Sequence, residues 1–249
     1  MKIRSYGKFN LTLEVFHKHK FKKMHHIKSI IFPYKEKYDF VELLLPYQGK
    51  QTIFTCNKKE LDSNNNTILE AYHKFVVMFP KFKSTPVHIN LIKNTTIGSG
   101  LGYSASNAVA MIKLICHFFN INYYSWKIKK LIQSLSSDAL FFYLEKPAII
   151  SGYGHKIKYL TMHQINKYKI PNLKIIDSKI SSITKEVYQE FDHNYQYYKT
   201  KKIINNLYFN MLQQPAFKIN PELKKFYLTR QQEYSNVLLS GSGGAFLAG

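Results

Sequence analysis

Thr96-Ile97-Gly98-Ser99-Gly100-Leu101-Gly102-Tyr103-Ser104-Ala105-Ser106-Asn107 lies between a strand-like run and a long apolar helix-like run. Its three glycines at alternate positions permit backbone torsions closed to other residues and let N–H groups approach an anion. Upstream, Val87 to Ile92 alternate apolar and polar as a half-buried strand does; downstream, Ala108, Val109, Met111, Ile112, Ile115 and Phe119 recur at helical spacing. The reading is strand, glycine loop, helix. The positive end of the helix dipole adds to the pull of such a loop on a phosphate.

A dinucleotide-binding fingerprint and a Walker loop share that context. Neither fits the spacing: no Lys-Ser or Lys-Thr pair closes the loop, and the strand near residue 90 does not open a βαβ unit. The loop resembles instead the second motif of the GHMP small-molecule kinases, Pro-x-x-x-Gly-Leu-Gly-Ser-Ser-Ala. Within that superfamily it is most similar to the diphosphocytidyl-methylerythritol kinases, whose version carries two extra residues after Gly-Leu-Gly and ends in Ser-Asn-Ala. Here the run reads Gly100-Leu101-Gly102-Tyr103-Ser104-Ala105-Ser106-Asn107-Ala108. The resemblance implies that Gly98, Ser99, Gly100, Leu101, Gly102, Ser104, Ser106 and Asn107 hold the phosphates of ATP. Three positions depart from the motif: Thr96 replaces its proline, Tyr103 a glycine and Ala105 the first serine of a pair. Tyr103 brings a large side chain to a place that a nucleotide must approach.

The chain of 249 residues is long enough for a proper core, as one unit or two small joined lobes. With 45% hydrophobic residues, 20% charged and no long polar tract, it is globular in class. The formal net charge of +21 would suit nucleic acid or a membrane surface. The lysines are scattered, however, as on a solvated face, and an anionic, phosphorylated substrate fits the charge equally well. Cys56 and Cys116 have no metal-ligand spacing, and no direct protein motif for a metal is present. Met1 to Tyr6 has no apolar signal core, and no run of about eighteen apolar residues occurs. A reducing cytoplasm is the default location, with neither membrane nor nucleic acid expected as partner.

In Lys8-Phe9-Asn10-Leu11-Thr12-Leu13-Glu14-Val15, apolar residues alternate with polar ones, giving a strand with a polar face. Pattern alone favours one wet side of a sheet; the alternative is that Lys8 and Asn10 face a site. The stretch resembles the first motif of the same kinases, Lys-x-Asn-Leu-x-Leu, whose lysine lies beside the nucleophilic hydroxyl. A basic, hairpin-like stretch from Lys18 to Lys23 precedes Met24-His25-His26-Ile27-Lys28-Ser29. The family reads Gly-Tyr-His-x-Leu-x-Ser here, with the histidine on the cytosine of the substrate, which places His25 in that role, the register being open by one residue toward His26. Val41 to Leu45 is a further apolar strand. Asn64-Asn65-Asn66-Thr67 offers a turn and an N-cap to a helix through Leu69, Tyr72, Phe75 and Val76. Capping accounts for Asn66; the resemblance adds a contact with adenine.

Ile128, Leu131, Ile132 and Leu135 form the stripe of a second helix, which ends at Ser136-Ser137-Asp138-Ala139-Leu140-Phe141-Phe142. An aspartate at the edge of so apolar a run is either a capping or turn residue or one with a purpose, since an unpaired buried carboxylate is costly. It aligns without a gap from Gly98 onward with the catalytic base of Gly-Ala-Asp-Val-Pro-Phe. Ser151-Gly152-Tyr153-Gly154 is a hairpin turn that resembles a family Gly-x-Gly. Ile180 to Tyr188 resembles the Ser-Thr-x-x-Val-Tyr segment, which makes Tyr188 an aromatic wall of the base pocket. Asn205-Asn206-Leu207 and Pro221-Glu222-Leu223 match weaker landmarks. Val237 to Phe246 enters a glycine loop as a strand and leaves it as one, resembling the third GHMP motif, Ser-Gly-Ser-Gly, with Gly241, Ser242 and Gly243 as a structural loop against the active site. The family normally continues for about another helix and strand, so this lobe is expected to be shortened.

The resemblance spans Lys8 to Phe246 and implies an α+β, two-lobed GHMP kinase fold: an N-terminal ribosomal-protein-S5-like lobe over 1–150 with the ATP loop, and a shortened ferredoxin-like lobe over 151–249. It implies transfer of the ATP γ-phosphoryl group to a hydroxyl of diphosphocytidyl-methylerythritol, with ATP and Mg²⁺ as cofactors, in a monomer or homodimer. Asp138 is then the base, Lys8 the cation beside it, and Asn10, His25 and Tyr188 contact a cytidine diphosphate derivative. The rivals are another GHMP small-molecule kinase and a degenerate, non-catalytic relative that binds nucleotide or nucleic acid.

Overall fold

The computed structural model describes residues 1–18, 24–61, 66–168, 173–200 and 208–249. The stretch from Lys18 to Lys23 lies almost wholly outside them, as do Asn64, Asn65 and the landmark Asn205-Asn206-Leu207. The chain folds as two compact units. Met1–Gly7, Lys35–Thr95 and Gly102–Glu145 form the first; Lys8–Tyr34, Thr96–Leu101 and Lys146–Gly249 form the second. Strands β1 (Lys2–Val15) and β2 (Ile27–Leu44) contribute residues to both.

In the first unit, β3 (Ile53–Cys56) runs parallel to β4 (His88–Ile92), and β4 runs antiparallel to the last part of β2, Phe40 opposite Ile92 and Leu44 opposite His88. The helices are α1 (Thr67–Met78), α2 (Tyr103–Phe118), α3 (Trp126–Gln133) and α4 (Ala139–Phe142). α1 packs on α2, burying Leu69, Tyr72 and Phe75 of one with Met111, Ile112 and Ile115 of the other. Phe75 stacks on Phe119, just past α2, with ring centroids 6.1 Å apart. The expected stripe of α3 is buried at Ile128, Leu131 and Ile132, and Ser125 caps the helix by accepting from Ile128 N. Leu135 falls beyond its end.

In the second unit, β5 (Ala148–Gly152) pairs antiparallel with β2, Ile27 opposite Gly152, and forms a hairpin with β6 (Lys156–Tyr159). After α5 (Met162–Lys167) come β7 (Lys174–Asp177), α6 (Thr184–His193), α7 (Tyr195–Thr200), β8 (Phe209–Asn210), α8 (Gln213–Ile219), α9 (Pro221–Gln231), β9 (Val237–Leu239) and β10 (Ala245–Ala248). β8 adds in parallel to β1 at Thr12 and Leu13, and β7, β10 and β9 make a three-stranded antiparallel sheet. Phe191, Phe217, Leu223 and Phe246 fill the core of this unit.

One expectation is overturned. The polar face of β1 is dry: Lys8 is 3% exposed, Asn10 4% and Thr12 9%. Its side chains are bonded within the second unit, Lys8 Nζ to Asn10 Oδ1, Asn10 Nδ2 to Ser29 Oγ and Ile30 N to Thr12 Oγ1, which is what makes burial tolerable. Among the described residues, no helix is long and apolar enough to cross a membrane.

Candidate active site

The first unit carries the second half of the glycine run. Gly102, φ +73°, occupies the N-cap position of α2, and no side chain caps that end. The opening N–H groups of a helix have no intrahelical acceptor, so an end without a side-chain cap suits an anion. Behind it, the first turn is fixed from the core. Tyr103 is buried; its hydroxyl donates to Lys37 O at 3.1 Å, and the Lys93 ammonium sits 4.8 Å from its ring. The large side chain that replaces the motif's glycine therefore points into the unit. Ser106 is buried and accepts from the Ser5 hydroxyl at 2.7 Å. Asn107 is buried too, and its Nδ2 donates to Asp39 at 3.0 Å. Ser104 is the exposed one, sharing a 2.9 Å hydrogen bond with the Thr67 hydroxyl at the start of α1. Asn66 caps α1, its Oδ1 accepting from Leu69 N at 2.9 Å.

Asp39 anchors this arrangement. Fully buried, it accepts from Lys93 Nζ at 2.6 Å, from Asn94 N and Thr95 N at 2.9 and 3.0 Å, and from the Thr95 hydroxyl at 2.9 Å, besides Asn107. Lys93 also donates to Thr95 Oγ1. Burial lowers the Lys93 pKa, and the neighbouring Asp39 carboxylate opposes that shift. Sequence reasoning missed both residues. The only signal was an acidic residue between Tyr38 and Phe40 in a strand-like run. Asp138 lies half-buried at the N-cap position of α4, but its carboxylate makes no cap hydrogen bond there, so capping does not explain it.

The second unit carries the first half of the run. Gly98 and Gly100 have φ of +72° and +79°. A Cβ on Gly98 would lie 2.4 Å from Ser181 Oγ, and one on Gly100 would lie 2.3 Å from Ser240 O. The loop is stitched backbone to backbone onto the Ser-Gly-Ser-Gly segment: Ala245 N donates to Ser99 O at 2.9 Å and Gly244 N to Gly98 O at 3.2 Å. Gly243 must be glycine too, since a Cβ there would meet Gly100 N at 2.1 Å. Gly241 has φ +64°, and Ser242 donates to Thr184 at 2.8 Å. Leu101 O accepts from Lys8 N at 2.8 Å, which ties the loop to β1. Thr96, in the proline's place, uses its hydroxyl to bond Asp177 at 2.5 Å, a contact that proline could not make.

On β1, Lys8 Nζ donates to Asn10 Oδ1 at 2.7 Å, Asn10 Nδ2 to Ser29 Oγ at 2.7 Å, and Ser29 Oγ to Thr12 O at 2.5 Å, while Asn10 N donates to Ser240 Oγ at 3.3 Å. This relay fixes the direction in which each side chain points. Nearby in sequence, His25 precedes β2. Its Nε2 lies 2.6 Å from Asp192 Oδ1, and its ring centroid 4.7 Å from that of Tyr188. Tyr188 and Asp192 stand four apart on α6, hence on one face. The structure thus brings together two of the predicted substrate contacts and adds Asp192. His26 packs instead against Tyr153, with centroids 4.2 Å apart.

A phosphate group fits what the first unit offers, the uncapped N–H groups at the open end of α2. Among the described residues, no group of three or more His, Cys, Asp or Glu could hold a metal ion.

Residues 66–146 match the family model for the GHMP kinases N terminal domain. A protein of Ureaplasma parvum named 4-diphosphocytidyl-2-C-methyl-D-erythritol kinase is 28% identical over 268 residues, spanning 99% of this chain and 94% of its own. One of the same name from Fusobacterium nucleatum is 27% identical over 260 residues, spanning 98% of this chain and 86% of its own. Among solved structures, a 4-(cytidine 5'-diphospho)-2C-methyl-D-erythritol kinase matches with a TM-score of 0.71 at 21% identity, covering 100% of this chain and 89% of the other. Mevalonate kinase of Methanococcus jannaschii matches with a TM-score of 0.68 at 17% identity, covering 100% and 90%. The fold is that of the GHMP kinases.

Proposed function

We propose that this chain, which has the fold of the GHMP kinases and matches the model of their N terminal domain over residues 66–146, phosphorylates the 2-hydroxyl of 4-diphosphocytidyl-2-C-methyl-D-erythritol with ATP, a step in the non-mevalonate route to isoprenoid precursors. The observation that carries the reading is the start of α2: a left-handed glycine, no side-chain cap, and a first turn anchored from behind by Tyr103, Ser106 and Asn107. Phosphoryl transfer asks a protein mainly for positioning and charge stabilisation, and a rigid, open helix end supplies both. The choice of acceptor rests on the relatives and is supported by the His25 and Tyr188 pair in the second unit.

In this reading the backbone N–H groups at the start of α2 and of the loop from Gly98 to Leu101 hold phosphate oxygens. ATP, bound with Mg²⁺, supplies the transferred phosphoryl group. Asp138 takes the proton from the attacking hydroxyl on a carboxylate oxygen that no helix cap consumes. Lys8, held by Asn10, orients that hydroxyl. Asn10, His25 and Tyr188 bind the cytidine diphosphate part. The reaction takes place in the cytoplasm.

The test is ADP release with Mg-ATP and, in parallel, the cytidylyl substrate, mevalonate, homoserine and galactose. Turnover that depends on the cytidylyl substrate is expected. Turnover with one of the others would assign a different GHMP kinase. None at all, from a folded protein that binds ATP, would leave a binding relative.

A further inference from the structure

Asp192 is bonded to His25, and the proposed reaction gives it no role. His25 is nearly buried, its side chain 8% exposed, whereas Asp192 is 32% exposed on the flank of α6. Their 2.6 Å contact is short and charge-assisted. An ionised carboxylate can only accept, so the hydrogen at Nε2 must belong to the imidazole. A neutral ring that carries its hydrogen on Nε2 has a bare Nδ1, and that atom is then a hydrogen-bond acceptor. Tyr188, one turn earlier on the same helix face, packs on the ring at 4.7 Å, and Phe191 meets it edge-on at 6.2 Å, so the imidazole is held in plane as well as in tautomer.

Cytosine and uracil differ at C4: cytosine shows an amino group, a donor, where uracil shows a carbonyl oxygen, an acceptor. An acceptor fixed on the protein takes the first and repels the second. We infer that Asp192 is a positioning residue that locks His25 as the Nε2–H tautomer, and that this lock makes the site prefer a cytidine diphosphate over a uridine diphosphate derivative. The inference rests on the function proposed above for its substrate, but the tautomer itself does not.

Two measurements separate these. In the first, ¹⁵N-resolved imidazole NMR of the free protein, at a pH where the ring is neutral, reads the tautomer of His25. The Nε2–H form should be the only one seen in the wild type, whereas Asp192→Ala should admit the Nδ1–H form beside it. The second compares kcat/KM for the cytidylyl substrate with that for its uridine counterpart. The cytosine preference should fall by about tenfold in Asp192→Ala, the scale of one hydrogen bond. The loss should lie in KM, with kcat nearly unchanged, and Asp192→Glu should restore part of it. An Nδ1–H ring in the wild type, or a tautomer or base preference indifferent to Asp192→Ala, overturns the inference. Turnover of neither substrate by the wild type overturns the proposed function and with it the cytosine preference, while the NMR result still stands for or against the lock.

Discussion

The starts of α1 and α2 lie side by side in the first unit, joined by the Thr67 and Ser104 hydroxyls, yet they end differently. Asn66 closes α1 by accepting from Leu69 N, as a structural helix is closed. α2 begins at a glycine with φ +73° and has no side-chain cap. The sequence invests in α2 elsewhere: Tyr103, Ser106 and Asn107 tie its first turn to Lys37, Ser5 and Asp39. A helix end that is left open but held rigid is suited to a ligand, whereas a capped end is finished by the protein itself. Composition cannot separate the two, since both are small polar residues ahead of an apolar run.

The comparison breaks most readily at its anchor. Asp39→Ala leaves Lys93 buried without its carboxylate and should cost about 3–5 kcal/mol of stability, read as a lower midpoint in urea. A loss under about 1 kcal/mol would mean that the first turn of α2 is not held from behind. Gly102→Ala puts a Cβ on a left-handed residue, costing about 1–2 kcal/mol. Beyond that loss, the KM for ATP should rise by about tenfold, the equivalent of about 1.4 kcal/mol. Reduced stability with an unchanged KM would make the loop a plain structural turn. The smallest effect is expected at Asn66→Ala, about 1 kcal/mol from the lost cap, or a fall of about 2–4 °C in Tm. Its KM for ATP should change by less than about fivefold, or roughly 1 kcal/mol; a larger change would give Asn66 the adenine contact that the family resemblance implies.

Much of this was legible because it is local. The strand, glycine loop and helix around Gly100, the cap at Asn66, the hairpin after Ser151 and the glycine loop between β9 and β10 each follow from residues within a few positions of one another. The left-handed torsions of Gly98, Gly100 and Gly102 were implied by the glycines themselves. What alternation could not tell was that the polar face of β1 is dry, because its partners come from elsewhere in the chain: Ser29 is 19 positions from Asn10, and Ser240, which accepts from Asn10 N, is 230 away. Nor could it show that Gly100 is required by close backbone contact with Ser240 and Gly243 as much as by any phosphate. The Asp192 partner of His25 is 167 positions away, and Asp39 gathers Lys93, Thr95 and Asn107 from 54 to 68 positions away. Partnerships at such range are products of the fold, and a single sequence carries no periodic trace of them.

The most direct test of the account is transfer of labelled γ-phosphate from ATP to 4-diphosphocytidyl-2-C-methyl-D-erythritol by the wild type and by Asp138→Asn, with folding and ATP binding measured on both. The account predicts a phosphorylated cytidylyl product from the wild type and a rate lower by about two or more orders of magnitude in the variant, the scale of a lost general base, with ATP affinity retained. Equal rates in the two proteins would remove Asp138 from the chemistry, and no transfer by a folded, ATP-binding wild type would contradict the kinase reading itself.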